Sequence, residues 1–340
     1  MTATHHAELA RVTRNGFVES RHYGSVVVLD PDGRVALSAG VPDEPVLPRS
    51  TLKPVQALAC LIAATAAPGS ARGGEALTGP ALAIAAGSHT GDDRHVTVVR
   101  AMLAAAGLTE DALGCPEDWP EDEATRERLF RVGAQRDRIR MNCSGKHAAM
   151  LVASARRNWS THDYLDPAHP VQRETADTVA RLAGTPVTHL AVDGCGAPLF
   201  GLPLTGLART FQALVTAPAG TDEARVAAAM RRHPEYVGGW HGHPNTDLMR
   251  ALPGVLAKGG AEGVLAVATP DGHAVAVKAI DGSPRATTAI ALAALDAAGV
   301  PVGGAEALRR VPVLGGGVPV GAITADIDWT AGPSRSEEGN

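Results

Sequence analysis

Two segments near the ends of the chain alternate between apolar and polar residues, which is the pattern of half-buried β-strands. Residues 16–40 alternate on both sides of Asp-Pro-Asp-Gly at 30–33, and residues 263–280 alternate around Pro-Asp-Gly at 270–272. Clusters of Pro, Asp and Gly favour tight turns. Each segment is therefore predicted to form a β-hairpin, and the two hairpins are predicted to pair into one antiparallel sheet.

The chain between the hairpins shows the apolar spacing of helices, interrupted by loops rich in Gly and Pro. An Ala-rich segment at 53–66 is predicted to form the first helix, because Pro54 suits a first turn and Ser50 and Thr51 supply capping oxygens ahead of it. The other predicted helices cover residues 92–106, 121–134, 146–157, 169–184, 205–217, 222–233 and 285–298.

These elements predict an α+β fold, in which an antiparallel sheet from the N- and C-terminal hairpins is flanked by helices and joined to a helical lobe. Residues 1–328 are predicted to form a single catalytic unit, with its sheet-containing part at about 10–80 and 255–325 and its helical part at about 81–254. The polar segment 329–340 is predicted to be a disordered tail. A functional site is expected in the cleft between sheet and lobe.

Composition and charge exclude several classes of protein. The 340 residues carry a formal net charge of −5 without a long basic run, so no nucleic acid is expected as a partner. No stretch of about 18 uncharged apolar residues occurs and the first residues contain no apolar segment, so neither a membrane span nor a secretory signal is expected. Four cysteines are too sparse for a disulfide scaffold, and together these features predict a cytoplasmic protein.

Lysine is rare in this sequence, which gives each lysine added weight. Only four of the 31 basic residues are lysines, namely Lys53, Lys146, Lys258 and Lys278. Arginine stays protonated in proteins, whereas a desolvated lysine can lose its proton and act as a base, a nucleophile or a metal ligand. The lysines are therefore functional candidates, and the alternative is that each is an ordinary surface cation.

Ser50 and Lys53 lie three residues apart at the start of the first predicted helix, so their side chains share one face. A lysine with a lowered pKa can take the serine proton there, and the helix N-terminus offers N–H groups to a developing oxyanion. S-x-x-K is also the nucleophile motif of serine β-lactamases and penicillin-binding proteins. The simpler interpretation is a capping serine followed by a solvated lysine.

Two further segments support the catalytic interpretation. Lys258, Gly259 and Gly260 come immediately before a predicted strand and resemble the K-[ST]-G element of the same enzymes, with Gly259 in place of Ser or Thr. The backbone N–H of Ala261 is the predicted second oxyanion donor. The same enzymes have a third catalytic element between these two, in which a Ser or Tyr relays protons. Ser88 matches it by its order in the chain and by residue type.

Two Gly-rich loops each place a cysteine beside polar residues. N-C-S-G-K-H at 142–147 precedes a predicted helix, and D-G-C-G-x-P at 193–198 follows a predicted strand. The first is not a phosphate-binding loop, because Arg140 stands where such a loop requires Gly. Cys143 and Cys195 indicate a shared zinc site, since thiolates favour zinc among the common metals, and two buried free thiols are the alternative.

Five segments in this order together resemble the asparaginase II family, which contains the rhizobial-type, class 3 L-asparaginases. The resemblance extends from about residue 10 to 325. The segments are R-S-x-x-K-P-x-Q at 49–56, S-H-x-G-x-x-x-H at 88–95, N-C-S-G-K-H at 142–147, D-G-C-G-x-P at 193–198 and K-G-G-x-E-G at 258–263. The resemblance to this family implies a fold similar to serine β-lactamases and class A glutaminases. It also implies a homodimer and the hydrolysis of L-asparagine to L-aspartate and ammonia.

The resemblance also implies roles for individual residues. By position, Ser50 resembles the nucleophile and Lys53 its base, while Ser88 and Lys258 resemble a second Ser–Lys pair beside the first. The implied catalytic machinery therefore contains two serines and two lysines, and Lys278 receives no role.

The family's zinc ligands are expected at Cys143, Lys146 and Cys195, with Asp193 near a zinc-bound water. A lysine must lose its proton to bind a metal, which gives a physical reason for Lys146 in a lysine-poor chain. The residues expected to bind the substrate are Arg49, Asp193, His147, Gly259, Gly260 and Ala261. Among these, Arg49 and the Asp193 loop are the candidates for the α-carboxylate and the α-amino group of L-asparagine.

The sequence thus predicts an L-asparaginase that works through a covalent β-aspartyl-enzyme, with zinc as an organising ion. One alternative is a zinc-dependent amidohydrolase in which metal-bound water attacks the amide. The other alternative is a catalytically inactive protein that binds amino acids on the same scaffold.

Overall fold

The computed structural model describes residues 5–66 and 77–332. The strands of these residues are β1 (Ala7–Arg14), β2 (Phe17–Leu29), β3 (Val35–Ala39), β4 (Pro45–Val46), β5 (His189–Val192), β6 (Pro198–Pro203), β7 (Leu256–Gly260), β8 (Val264–Ala268), β9 (Ala274–Ala279), β10 (Val311–Gly315), β11 (Val318–Ala325) and β12 (Thr330–Ala331). Most of them form one antiparallel sheet in the order β10-β11-β1-β2-β9-β8-β7, with β3 pairing β2 and β12 pairing β3. Strands β4, β6 and β5 form a separate small sheet.

The two predicted hairpins meet at the centre of the main sheet. Strand β2 pairs with β9 from Gly24 opposite Ala279 to Leu29 opposite Ala274, and this pairing joins the two ends of the chain. The apolar half of β2 is fully buried, because both faces of the sheet are covered at that point. The predicted α+β class, with one antiparallel sheet built from N- and C-terminal hairpins, is confirmed.

The helices occupy mainly the middle of the chain. They are α1 (Lys53–Thr65), α2 (Gly79–Ala85), α3 (Asp93–Ala105), α4 (Glu123–Arg131), α5 (Ser144–Arg156), α6 (Pro170–Ala183), α7 (Leu204–Thr216), α8 (Asp222–Arg232), α9 (Pro234–Val237), α10 (Pro244–Ala251) and α11 (Thr287–Ala297). Eight of them were predicted with ends within three residues, whereas the short helices α2, α9 and α10 were not predicted.

Helix α1 lies at the centre of the helical part and packs against α5, α6 and α8. Nearly all of its residues are buried, which explains why its Ala-rich sequence is apolar around most of its circumference. Helices α7 and α11 contact the strands of the main sheet. The N-terminus of α1 faces the edge strand β7, and the predicted site residues lie at this junction.

The C-terminal end differs from the sequence prediction. Thr330 and Ala331 were assigned to a disordered tail, but they form β12 and pair with Ser38 and Leu37 of β3. The remainder of the predicted tail, residues 333–340, lies outside the described residues. Among the helices of the described residues, none is both long enough and apolar enough to cross a membrane.

Candidate active site

The proposed nucleophile lies in a tight turn rather than inside a helix. Ser50 belongs to a 3₁₀ turn, Arg49–Leu52, which leads directly into α1. Arg49 adopts a positive φ of 54°, a conformation that non-glycine residues rarely adopt and that is concentrated at functional sites. An ion pair from Arg49 Nε to Asp193 Oδ1, at 2.8 Å, holds this conformation and thereby sets the direction of Ser50.

Ser88 lies between two buried lysines. Its Oγ is 2.8 Å from Lys53 Nζ and 3.0 Å from Lys258 Nζ. Lys53 also donates to the carbonyl of Asn142 at 3.3 Å, and Lys258 to that of Gly259. The predicted Lys53 therefore contacts the second serine of the set, and within the described chain its ammonium makes no hydrogen bond to Ser50.

The two lysines lack the carboxylate partners that buried cations normally need. Both side chains are fully buried, and neither forms an ion pair within residues 5–66 and 77–332. Burial, together with the nearby charge of Lys53, lowers the pKa of Lys258 well below its ordinary value. A neutral Lys258 can accept a proton from Ser88 while Ser88 accepts a hydrogen bond from Lys53, so the three groups form a path for one proton.

Backbone hydrogen bonds fix the segment that carries Ser88. The N–H of Ser88 donates to Val237 O at 2.8 Å, and the N–H of Thr90 donates to Gly238 O at 3.0 Å. On the other side, the N–H of His89 donates to Asn142 O at 3.2 Å. Ser88 is therefore held from two directions, as a proton relay requires.

Strand β7 brings Lys258 and the glycines against the nucleophile turn. A Cβ on Gly260 would lie 2.8 Å from Pro48 O and 3.2 Å from Ser50 N, so only glycine allows this approach. The first N–H groups of a helical turn have no partner within the turn, which leaves Ser50 N–H available to an oxyanion. Ala261 lines the same cleft. Its predicted role as the second oxyanion donor stays a prediction.

The cleft has a volume of about 360 Å³, which is enough for an amino acid. Ser50, Ser88 and Lys258 line it, so three of the four predicted Ser–Lys residues share one cavity, and Lys53 reaches it through its contact with Ser88. The polar residues that line it and were not singled out from the sequence include Glu121, His243 and Asn245. Asn245 Oδ1 accepts a hydrogen bond from the N–H of Gly259 at 2.7 Å and so fixes the position of β7.

His243 and Asn245 belong to the start of α10, a short helix that the sequence analysis missed. A His-Pro-Asn sequence ahead of an apolar segment, with Pro244 in the first helical turn, is the signal that could have revealed it. Burial and the charge of Lys258 lower the pKa of His243 to about 4, so this side chain is neutral at pH 7.

The predicted metal ligands form a second cluster beside the nucleophile turn. Cys143 precedes α5, which carries Lys146, and Cys195 lies in the tight turn between β5 and β6. Lys146 Nζ is 3.1 Å from Cys195 Sγ and 3.8 Å from Asp193 Oδ2. The structure therefore brings Cys143, Lys146, Asp193 and Cys195 into one buried region.

The charges of this cluster differ from those around Ser88. Burial lowers the pKa of Lys146, but the negative charges of Cys195, Cys143 and Asp193 outweigh it and raise that pKa above its ordinary value. Hydrogen bonding from Cys143 lowers the pKa of Cys195, and the same contact raises the pKa of Cys143. The cluster is an ammonium and thiolate pair with a neutral thiol beside it.

This donor set fits zinc only with the lysine included. Thiolate sulfur and amine nitrogen are ligands that zinc accepts. No group of three His, Cys, Asp or Glu side chains in the described part of the chain is arranged to hold a metal ion. Zinc at this position therefore requires Lys146, in its neutral form, as the third ligand beside Cys143 and Cys195.

Three of the predicted substrate-binding residues, Arg49, His147 and Asp193, do not line the cleft that contains Ser50. Arg49 lines a separate cavity of about 320 Å³, together with Glu262 and Lys278. His147 is fully buried, its Nδ1 lies 2.7 Å from the hydroxyl of Tyr164, and burial lowers its pKa to about 3. A buried, neutral His147 holds Tyr164 in place, and its predicted contact with substrate stays a prediction.

The remaining cysteines are structural. Cys60, in the middle of α1, and Cys115 are buried and free, as are Cys143 and Cys195. Burial raises the pKa of both Cys60 and Cys115 to about 12, so both stay protonated thiols.

The fold and the Ser–Lys cleft define a hydrolase-like site, and sequence comparison assigns its family. The profile of the L-asparaginase II family matches residues 10–325, so the chain belongs to that family and is identified as an amide hydrolase. The resemblance stated from the motifs is therefore confirmed. No curated protein sequence matches the chain.

Several solved structures resemble the chain at low identity. Mglu in its native form is 16% identical with a TM-score of 0.44, and the match covers 81% of this chain and 61% of that one. The chain thus spans less than two thirds of the Mglu chain. A β-lactamase (Mb2281c) from Mycobacterium bovis is 15% identical with a TM-score of 0.45, covering 81% of this chain and 94% of that one. EstCE1, a hydrolase with promiscuous acyltransferase activity, is 14% identical with a TM-score of 0.37, covering 81% and 90%. At these TM-scores none of them bears on mechanism.

Proposed function

We propose that this protein is an L-asparaginase that hydrolyses L-asparagine to L-aspartate and ammonia through a Ser–Lys acyl-enzyme. The observation that carries the proposal is the hydrogen-bonded series Lys53–Ser88–Lys258 in the cleft that also contains Ser50, in a chain of the L-asparaginase II family. Two buried amines without carboxylate partners suit proton transfer during amide cleavage.

In the first step, Ser50 Oγ forms a bond to the side-chain carbonyl carbon of the substrate. Its proton passes through Ser88 to the neutral amine of Lys258, while Lys53 donates a hydrogen bond to Ser88. The negative oxygen of the tetrahedral intermediate accepts hydrogen bonds from the N–H groups of Ser50 and Ala261. The carbon–nitrogen bond then breaks, and the proton returns to the leaving nitrogen, which departs as ammonia.

The second step releases the product. A water molecule gives its proton to the same series and attacks the β-aspartyl ester, and Ser50 regains its proton as aspartate leaves. Since Ser88 touches both lysines, one proton can be stored and returned without solvent.

Zinc remains part of the proposal. Cys143, Lys146 and Cys195 would hold it, and the bound ion would supply positive charge beside the nucleophile turn. Arg49 links this cluster to Ser50, because its ion pair with Asp193 connects the loop of Cys195 to the residue before the nucleophile. We also propose that the protein is cytoplasmic and forms a homodimer.

The test measures ammonia release from L-asparagine and L-glutamine by wild type and Ser50→Ala, each with added zinc and with a chelator. We expect asparagine turnover by wild type, its abolition in Ser50→Ala, and a wild-type mass increase of one β-aspartyl group after rapid quenching. The control is Ser160→Ala, which alters an exposed serine outside the cleft.

The alternatives predict different results. If Ser50→Ala keeps its activity and chelation abolishes it, metal-bound water is the nucleophile and the acyl-enzyme is wrong. If wild type binds L-asparagine without any turnover, the protein is an amino-acid-binding protein instead.

A further inference from the structure

Within residues 5–66 and 77–332, Glu121 is the one acidic side chain that lines the cleft around Ser50. It lies just before α4, in a segment tied to the loop that carries Ser88. The N–H of Asp122 donates to Thr90 O at 2.9 Å, and a Cβ on Gly91 would lie 2.4 Å from Arg140 O and 3.2 Å from Pro120. Glu121 is therefore fixed relative to the Ser–Lys residues, although its side chain is exposed.

The carboxylate of Glu121 is held by one neutral contact. Asn142 Nδ2 donates to Glu121 Oε1 at 2.7 Å, and the carbonyl of Asn142 accepts from Lys53. No cation forms an ion pair with Glu121 within the described residues, so its second oxygen remains available to a ligand. Asn142 thereby aligns this carboxylate without neutralising its charge.

Asp193, the acid predicted from the sequence to bind the substrate, differs in this respect. Its Oδ1 accepts from Arg49 Nε at 2.8 Å and from the N–H of Gly194 at 2.9 Å, and its Oδ2 lies 3.8 Å from Lys146 Nζ. Two cations already neutralise Asp193, and a substrate ammonium would have to compete with both. Glu121 offers the same charge without such an ion pair, and the buried amine that interacts with it, Lys258, favours its neutral form.

We propose that Glu121 binds the α-ammonium group of the substrate and so selects amides of α-amino acids. This inference rests on the proposed amide hydrolysis at Ser50. A carboxylate that is aligned and outside any ion pair at the wall of a cleft gains a charge-assisted hydrogen bond when an ammonium arrives. A substrate that lacks the amino group gains nothing from this residue.

The experiment compares Glu121→Gln with wild type on two substrates, L-asparagine and succinamate, which is the same amide without the amino group. The matched control is Glu123→Gln, which removes an exposed carboxylate two residues away that does not line the cleft. Glutamine preserves the acceptor for Asn142 and removes only the charge. We expect kcat/KM for L-asparagine to fall about tenfold or more in Glu121→Gln, mainly through KM, as loss of a charge-assisted contact predicts. Succinamate kinetics should not change, and Glu123→Gln should match wild type on both substrates.

Other results would overturn the inference in distinguishable ways. Equal losses on both substrates would mean that Glu121 only positions Asn142. Unchanged asparagine kinetics in Glu121→Gln would remove Glu121 from substrate recognition while leaving the proposed function intact. A wild type that hydrolyses neither substrate would overturn the proposed function and this inference together.

Discussion

Two buried lysine clusters lie on either side of the nucleophile turn, and their protonation is opposite. Lys258 and Lys146 are both almost completely inaccessible to solvent. Lys258 has a lowered pKa because burial and the charge of Lys53 oppose its protonation. Lys146 has a raised pKa because neighbouring thiolate and carboxylate charges outweigh the same burial.

The comparison shows that burial alone does not decide what a lysine does. An amine beside a hydroxyl and a second amine becomes a base, whereas an amine beside a thiolate remains a cation that stabilises the fold or gives way to a metal. The β7 side, which contains Lys53, Ser88 and Lys258, is therefore expected to serve proton transfer. The thiol side, which contains Lys146 and the two cysteines near it, is expected to serve stability and metal binding. Substitutions on the two sides should separate these roles.

The largest effect is expected from Lys258→Met and Lys53→Met, which keep the buried chain and remove the amine. We expect kcat/KM for L-asparagine to fall about 10²- to 10⁴-fold, because the proton path through Ser88 is lost. The free energy of unfolding of Lys258→Met should not decrease, since a desolvated amine is removed. Steady-state kinetics and urea unfolding measure the two quantities.

Lys278→Met is the control for these variants. Lys278 lies on β9 of the same sheet, it is partly exposed, and it donates to the carbonyls of Glu262 and Ala279 outside the cleft. Its activity should stay close to wild type. If Lys258→Met keeps full activity, the assignment of proton transfer to the β7 side is wrong.

The next effect concerns stability on the thiol side. Lys146→Met leaves the thiolate of Cys195 and the carboxylate of Asp193 without their buried cation. Breaking a buried ion pair by removing one partner typically costs about 3–5 kcal/mol, and we expect a loss of that order in the free energy of unfolding. Urea unfolding of metal-free protein measures it. A variant as stable as wild type would contradict the charged pair and remove the contrast with Lys258.

A smaller effect is expected at the contact between β7 and the nucleophile turn. Gly260→Ala would place a methyl group 2.8 Å from Pro48 O and 3.2 Å from Ser50 N, so the turn must shift. Misplacing a catalytic group by about 1 Å can cost about 10²-fold, and we expect kcat to fall by up to that factor. Gly303→Ala is the control, because no atom lies within 4 Å of its added Cβ. Equal kinetics for the two variants would show that the contact does not position Ser50.

Much of the architecture could be predicted because the local pattern and the fold agree. The hairpins at 16–40 and 263–280 and the helix at 53–66 appear where turn residues and apolar spacing place them. Strands β1, β10 and β11 were missed, and the Lys258 segment was assigned to the residues before a strand although it forms β7 itself. Glycine pairs indicate loops by local preference, and here tertiary packing against the Ser50 turn overrides that preference.

Which residues belong to the site was easier to predict from the sequence than which of them contact each other. Helical spacing placed Lys53 beside Ser50, but Ser88 comes from a distant segment and takes the hydrogen bond. Glu121 carries no local signal, because only the pairing of Asp122 with Thr90 brings it to the cleft. Contacts between segments far apart in sequence depend on packing, which the spacing of residues along one element does not encode.

The smallest effect is the pH dependence of stability that the lowered pKa of Lys258 implies. Below its folded-state pKa both states are protonated, so the penalty for burying the charge is complete and does not vary with pH. Between that pKa and the ordinary value of 10.5 the unfolded state binds more protons, so this residue makes stability rise with pH. One proton corresponds to a slope of at most about 1.4 kcal/mol per pH unit. Lys258→Met lacks this contribution, so its excess stability over wild type should shrink as the pH rises towards 10.5, as urea unfolding at a series of pH values would show. Parallel curves for the two proteins would mean that Lys258 keeps its ordinary pKa, and the contrast with Lys146 would then not depend on their protonation.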